Sequence, residues 1–436
     1  MLSIICLTLG TSPVSKKKND HFITTICFLL YFILFSAFAL PQQPLLAGSS
    51  KKPQEEKPLI FWHSIGTYNK EALTSLIDSY HSERAGTTVQ GVFQGREDDL
   101  YLKILSQEDL PDIVEIPVQY LPDLQKKGYI RKLKTLLSQR ILDDIEPMFW
   151  DSVRIDDEIY AVPFYYTVNI LYVNQHILRV AGNRGAEEPE TWAELLDVSA
   201  RIGRNTDDRV PLFIPMGSTS QFITFVESFT GEPVVRDGGL AVDSEEAVAA
   251  MKFLQNAVYK QGLMPSKLTT DEGIQMFLAG NLGLMLGSSS MLVYAQSNMP
   301  YDLNVWHLPS WEKAGPTVFG KCLAVVRSTP RREREAYRFI EWLIDYERAI
   351  KWHTHTGNPA IRSSVKESLD LLIFYEENPN YMTSVIEIES GKVFRPRYDY
   401  FSVSEIIEHA LEAIMVNGED PGKVLEQAQK EIDSIR

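Results

Sequence analysis

At 436 residues, 44% of them hydrophobic, the chain is long enough for two lobes of ordinary size with a core in each. Lys and Arg number 43 against 58 Asp and Glu, for a net charge of −15, a balance that repels nucleic acid and anionic lipid. The segment Lys16 to Ala39 has a basic start (Lys16, Lys17, Lys18), an apolar run from Phe22 to Phe35, and small residues at Ala37 and Ala39. It reads as a secretory signal cut after Ala39, with an uncleaved membrane anchor as the alternative. Loss of residues 1–39 removes three Lys and one Asp and moves the net charge to −17. Cys6 and Cys27 leave with it, so Cys322 stands alone, without a disulfide partner or a cysteine metal cluster.

Residues 40–57, rich in Pro, Gly, Ser and Lys, have linker composition. A strand follows at Leu59 to His63, then a helix from Asn69 to about Arg84, where Leu73, Leu76, Ile77 and Tyr80 recur at helical spacing. Val89–Phe93 reads as a strand, Asp98–Leu105 as a helix, and Asp112–Ile116, after the breaker Pro111, as a third strand. This alternation predicts an α/β fold with a largely parallel sheet and ligands at the carboxyl ends of its strands. Trp62, His63, Glu97 and Gln119 fall at or just after strand ends and so are candidates for a cleft. Trp62 reads equally as core, and the run from Gly95 to Asp99 as a helix entry whose acids suit the helix dipole.

Ala161 to Leu196 carries the most information. Ile170, Leu171, Tyr172, Val173 and Asn174 form a short buried strand that turns helical at Gln175, and Thr191 with Glu194 three residues on reads as a capping box. Further elements are expected at Val210–Ile214, Phe222–Phe229, Ser244–Gln261, the helix entering Phe277, and the strand Leu282–Leu286. Ser288, Ser289 and Ser290 after that strand can offer hydroxyls to a solute or cap the next turn. A helix spans Arg331 to Tyr346, and two more, Ser404–Val416 and Pro421–Ile435, close the chain. His353 and His355, spaced i and i+2, cannot share a helix face and are weak metal candidates, so neither a metal nor a cofactor is expected.

The run Pro163, Phe164, Ile170 to Asn174 and Pro189 to Trp192, together with Phe277–Gly287, Thr356–Ile361 and Asp420 to Ala428, resembles the extracellular solute-binding proteins of ABC importers, of the maltose and glycerol-3-phosphate type. The resemblance implies a two-lobed periplasmic-binding-protein fold (type II, a Venus flytrap). Its lobes would be 58–162 with 325–355, and 166–316 with 362–436. Crossings between them would fall at 161–169, 317–326 and 356–361, with Phe319 and Gly320 in the second. It also implies a monomer, exported to the periplasm or beyond, that carries a sugar, polyol or glycerol phosphate to an ABC permease with a cytoplasmic ATPase. The hydroxyls that touch ligand in glycerol-3-phosphate binders fall on Thr167 and Ser288, and their phosphate-binding arginine on Arg397, or on Arg395 if the match slips. Where those proteins carry tyrosines this chain has Glu97 and Asn358, and their glutamate falls near Val118 or Gln119. A carboxylate at 97 would oppose a phosphate.

No G-x-S-x-G elbow, P-loop, H-E-x-x-H or dinucleotide glycine fingerprint is present, so no enzyme is expected. A carboxylate pair for glycoside hydrolysis meets only in three dimensions, so a carbohydrate-active enzyme is the competing class. A solute sensor for a membrane receptor is the third.

Overall fold

Two sheets, one per lobe, organise the computed structural model, which describes residues 57–435 apart from 85, 107–108, 134–135, 183–186, 207, 237–238, 310–314 and 397–398. The expected signal segment and, but for Lys57, the expected linker lie outside the described residues. The strands in chain order are β1 (Leu59–His63), β2 (Val89–Phe93), β3 (Ile113–Pro117), β4 (Arg154–Ile155), β5 (Glu158–Ile159), β6 (Val162–Thr167) and β7 (Asn169–Asn174). They continue with β8 (Val210–Phe213), β9 (Val235–Arg236), β10 (Gly239–Leu240), β11 (Leu282–Ser288), β12 (Leu303–Trp306), β13 (Thr317–Val325) and β14 (Lys392–Val393). The first sheet runs β14-β13-β3-β1-β2 with β6 also on β13, and the second runs β12-β7-β11-β8. The pairs β4–β5 and β9–β10 are small separate hairpins.

Within the first sheet β1 lies parallel to both β2 and β3, as the strand–helix alternation predicts. Helix Lys70–Glu83 covers it with Ala72, Leu73, Leu76 and Tyr80, and β3 is buried along its whole length. In the second sheet the period-2 alternation of β7 is visible in the packing: Ile170 and Tyr172 join the core of the first sheet, whereas Leu171 and Val173 join a separate core. That second core also takes Val403, Ile407 and Leu411 from helix Tyr400–Met415, and Leu425, Ala428 and Ile432 from helix Pro421–Ser434. The capping box forms as read, with Thr191 Oγ1 accepting from the Glu194 backbone and Glu194 Oε2 accepting from Thr191 N, both at 3.2 Å.

The chain passes between the sheets in little space. Val168 alone separates β6 from β7, and it is pinned by Ser289, whose N–H donates to Val168 O (2.8 Å) and whose Oγ accepts from Val168 N (3.2 Å). The stretch read as a second crossing is mostly a nine-residue strand: β13 pairs with β3, β6 and β14, so Phe319 and Gly320 sit opposite Thr167 and Tyr166. At the third, helix Tyr346–Thr356 ends on Gly357 with φ 77°. A Cβ there would lie 3.3 Å from Leu292 and 3.4 Å from Ser289 O, so a left-handed, bare position lets this segment rest on the turn that pins Val168. Residues 362–377, expected with the second lobe, pack instead near helix Tyr346–Thr356, where Val365 and Leu371 meet Ala349 and Ile350. Ion pairs Arg362–Asp144 (2.6 Å) and Lys366–Glu146 (2.5 Å) hold them there.

Candidate functional site

A cavity of about 320 Å³ opens where the two sheets and their connecting strands meet. Its floor belongs to the first sheet. The chain leaving β1 turns at Ser64, whose N–H and Oγ donate to Glu115 Oε2 at 2.9 and 3.0 Å, while Tyr165 OH donates to Glu115 Oε1 at 3.0 Å. Ser64 and Tyr165 line the cavity, and Glu115 is fully buried beneath them. Burial raises the Glu115 pKa, with the hydrogen bonds from Ser64 and Tyr165 working against it. Lys321 sits in β13 between Tyr165 and Pro117 in register, and its ammonium contacts the carboxylate of Glu97, the first residue of helix Glu97–Leu105. Burial pulls Lys321 down to about 7.

The second lobe supplies hydroxyls and an amide. Ser288 ends β11 and Ser290 follows in a 3-10 turn, their Oγ atoms 2.9 Å apart; the Ser288 carbonyl accepts from Tyr172 OH at 2.7 Å. Asn169 is steadied by a 2.8 Å bond from Nδ2 to Thr224 Oγ1, and Ser220 opens helix Thr219–Thr230 beside Ser218 (3.0 Å). Aromatic rings join the two sides at two places: Tyr68 meets Tyr294 at 4.8 Å, and Tyr400 meets Tyr120 at 5.6 Å. Tyr120 in turn stacks on Tyr101 at 4.5 Å. Of these rings Tyr68 and Tyr400 face the cavity, with Phe319 added from β13. Flat apolar rings beside fixed hydroxyls suit a small polyhydroxylated solute.

The model for bacterial extracellular solute-binding proteins matches residues 75–383, more than half of the chain. The chain belongs to this family. The solute-binding protein is 22% identical over 417 residues to the sn-glycerol-3-phosphate-binding periplasmic protein UgpB of Yersinia pseudotuberculosis, covering 86% of this chain and 91% of the relative. An arabinooligosaccharide-binding protein of Halalkalibacterium halodurans is 23% identical over 279 residues, 59% of this chain and 60% of the relative. Among solved structures, UgpB from Mycobacterium tuberculosis in complex with glycerophosphocholine superposes with a TM-score of 0.79 at 18% identity, over 87% of this chain and 98% of that one. Maltose-bound T. maritima MalE3 gives 0.77 at 21%, over 87% and 100%. At these identities the superpositions establish the two-lobed fold.

Of the residues expected to face solute in this solute-binding protein, Glu97, Gln119, Thr167, Ser288 and Gly320 line the cavity. Trp62, His63 and Asn358 are placed elsewhere, as framework. Trp62 is buried in the sheet with Lys103 Nζ 4.8 Å from its ring centre. His63 lies between the rings of Phe61 and Phe93, its pKa lowered to about 4 by burial, so it is a neutral core residue. Asn358 follows the left-handed Gly357 and is consumed locally: its Nδ2 donates to Thr356 Oγ1 (3.0 Å) and its carbonyl accepts from His353 Nδ1 (2.6 Å). Arg397 lies outside the described residues, and Arg395 donates to the Arg154 carbonyl at 2.9 Å. Lys321, Tyr165, Tyr68, Asn69, Asn169 and Ser220 line the cavity without having been anticipated. A signal for Lys321 existed: it is the one charge within Thr317–Val325, an otherwise apolar and small-residue strand.

Gly320 is at this site for space. A Cβ there would press on the Tyr166 ring, 2.8 Å from Cδ1, and that ring is fully buried with its hydroxyl 2.6 Å from Ser152 Oγ. Gly320→Ala is expected to lower unfolding stability by about 1–3 kcal/mol in urea titrations; an unchanged midpoint would mean that the Tyr166 ring yields.

Proposed function

We propose that this protein is the exported solute-binding component of an ABC importer, capturing a sugar, polyol or glycerophosphoryl-type solute between its lobes and handing it to a membrane permease. One observation carries the reading: the cavity is lined from both sheets and from the strands that join them, so a solute held there touches both lobes at once. Only such double contact lets a ligand favour the closed arrangement over the open one. Residues 1–39 act as the export signal, and the lobes divide at 161–169 and 317–326 and work as a monomer. A binding role, as against hydrolysis, is favoured by the state of the acids: Glu97 is engaged by Lys321, and Glu115 accepts from Ser64 and Tyr165.

Native mass spectrometry of protein purified from an exporting host tests the reading by looking for a retained small molecule, followed by calorimetry with maltose and glycerophosphocholine. Cleavage of an oligosaccharide with turnover would overturn it. Ser288→Ala should weaken binding of the retained solute about tenfold, one lost hydrogen bond, while the melting temperature of the empty protein stays within about 3 °C. A larger fall in melting temperature would make Ser288 a scaffold residue.

A further inference from the structure

Glu97 and Lys321 are the charged side chains among the described residues that line the cavity, and they are in contact with each other. Lys321 is the buried partner, its side chain 13% exposed, while Glu97 is 49% exposed at the cavity edge. We propose that this pair sets the charge selectivity of the site: Glu97 occupies the cation that an anionic group would need, so the cavity takes uncharged, hydroxyl-rich solutes and turns phosphates and carboxylates away. The proposal rests on the reading of this cavity as the solute site, and within that reading it favours the sugar and polyol classes over the glycerophosphoryl class.

An ammonium held away from water needs a counter-charge, and Glu97, the acid among the described residues that line the cavity, supplies it. Glu97 is the first residue of helix Glu97–Leu105, a place where the helix dipole favours a carboxylate. An incoming phosphate must therefore displace one anion and then sit beside it, with like charges close together in a poorly solvated space. A sugar hydroxyl bears no such cost, since it can donate to Glu97 or accept from Lys321 with the pair intact. Ser64, Thr167 and Ser288 around the pair add neutral donors and acceptors. Among the described residues the lining differs from an anion site, in which a cation faces the cavity unpaired and an arginine fork is the usual choice.

The test measures glycerol 3-phosphate and maltose binding by calorimetry to the full mature chain and to Glu97→Gln, Glu97→Gln/Lys321→Met and Glu97→Gln/Lys321→Arg, each checked for folding by circular dichroism. Glu97→Gln is expected to bind glycerol 3-phosphate at least about tenfold more tightly than the unsubstituted protein, and the gain should weaken with added salt. The gain should vanish with Lys321→Met and persist with Lys321→Arg, a variant that keeps the charge if the Met form fails to fold. Equal glycerol 3-phosphate affinity in the unsubstituted protein and Glu97→Gln, or a gain that survives Lys321→Met, overturns the proposal. The broader solute-site reading fails separately, if neither maltose nor any retained molecule is bound while the Glu97→Gln gain appears.

Discussion

Glu115→Ala should lower the unfolding free energy of the empty protein by about 3 kcal/mol, and Glu115→Gln by about 1 kcal/mol, read from urea titrations at neutral pH. The carboxylate is fully buried and accepts from three donors, Ser64 N, Ser64 Oγ and Tyr165 OH. Truncation takes the acceptor from all three, whereas glutamine keeps one acceptor and introduces an NH2 that faces donors. Binding should fall in both variants, because Ser64 and Tyr165 line the cavity and lose the group that orients them. The pH dependence has a definite sign. Burial raises the Glu115 pKa above its ordinary 4.5, so the folded state holds this proton more tightly than the unfolded state. Its contribution is fully present below the unfolded-state pKa and is lost as pH rises through the folded value. The stability gap between the unsubstituted protein and Glu115→Gln should therefore narrow as pH is raised from about 4 to about 7. A gap that widens over that interval would mean that the hydrogen bonds outweigh burial.

The elements legible in the sequence are those whose pattern is local. The strands β1 to β3 and helix Lys70–Glu83 follow from alternation and helical spacing, and the Thr191 cap from two residues three apart. Side-chain direction at the strand ends is not local. β1 stops at His63 and the chain turns, so Ser64 reaches the cavity while Trp62 and His63 point into packing, a distinction set by where the ladder ends. Asn358 turns away from the cavity for a similar reason: the left-handed Gly357 brings its amide back onto Thr356. Lys321 needed the partners of β13 on both edges before its burial could be seen. Helix Leu369–Glu377 has apolar residues on several faces, with Leu369, Leu372 and Ile373 exposed and Leu371 buried, so no helical period marks it.

The other large effect is expected at the foot of residues 356–361, the stretch read as a third crossing. Arg362 follows that crossing directly; its guanidinium is buried, donates to Asp144 at 2.7 Å through Nε, and caps the Ile344 carbonyl at 2.6 Å. Asp144 also accepts from Ser364 N (2.8 Å) and Ser364 Oγ (2.7 Å), tying the crossing to helix Gln139–Asp144. Asp144→Ala strands a buried guanidinium and should cost about 3 kcal/mol, the low end for buried pairs because Asp144 keeps a wet edge. Arg362→Met removes the charge and keeps an apolar stem, so the double variant should be more stable than Asp144→Ala alone, by about 1 kcal/mol in a urea-based double-mutant cycle. Burial works to raise the Asp144 carboxyl, but its hydrogen bonds to Ser364 and Arg362 outweigh it and hold the pKa below the ordinary value. The contribution of the pair is therefore present above the unfolded-state pKa and lost as pH falls through the folded one, so the Asp144→Ala deficit should shrink in acid, opposite in direction to Glu115. Strict additivity in the cycle, with no deficit relieved by Arg362→Met, would mean that Asp144 holds residues 362–364 through Ser364 alone.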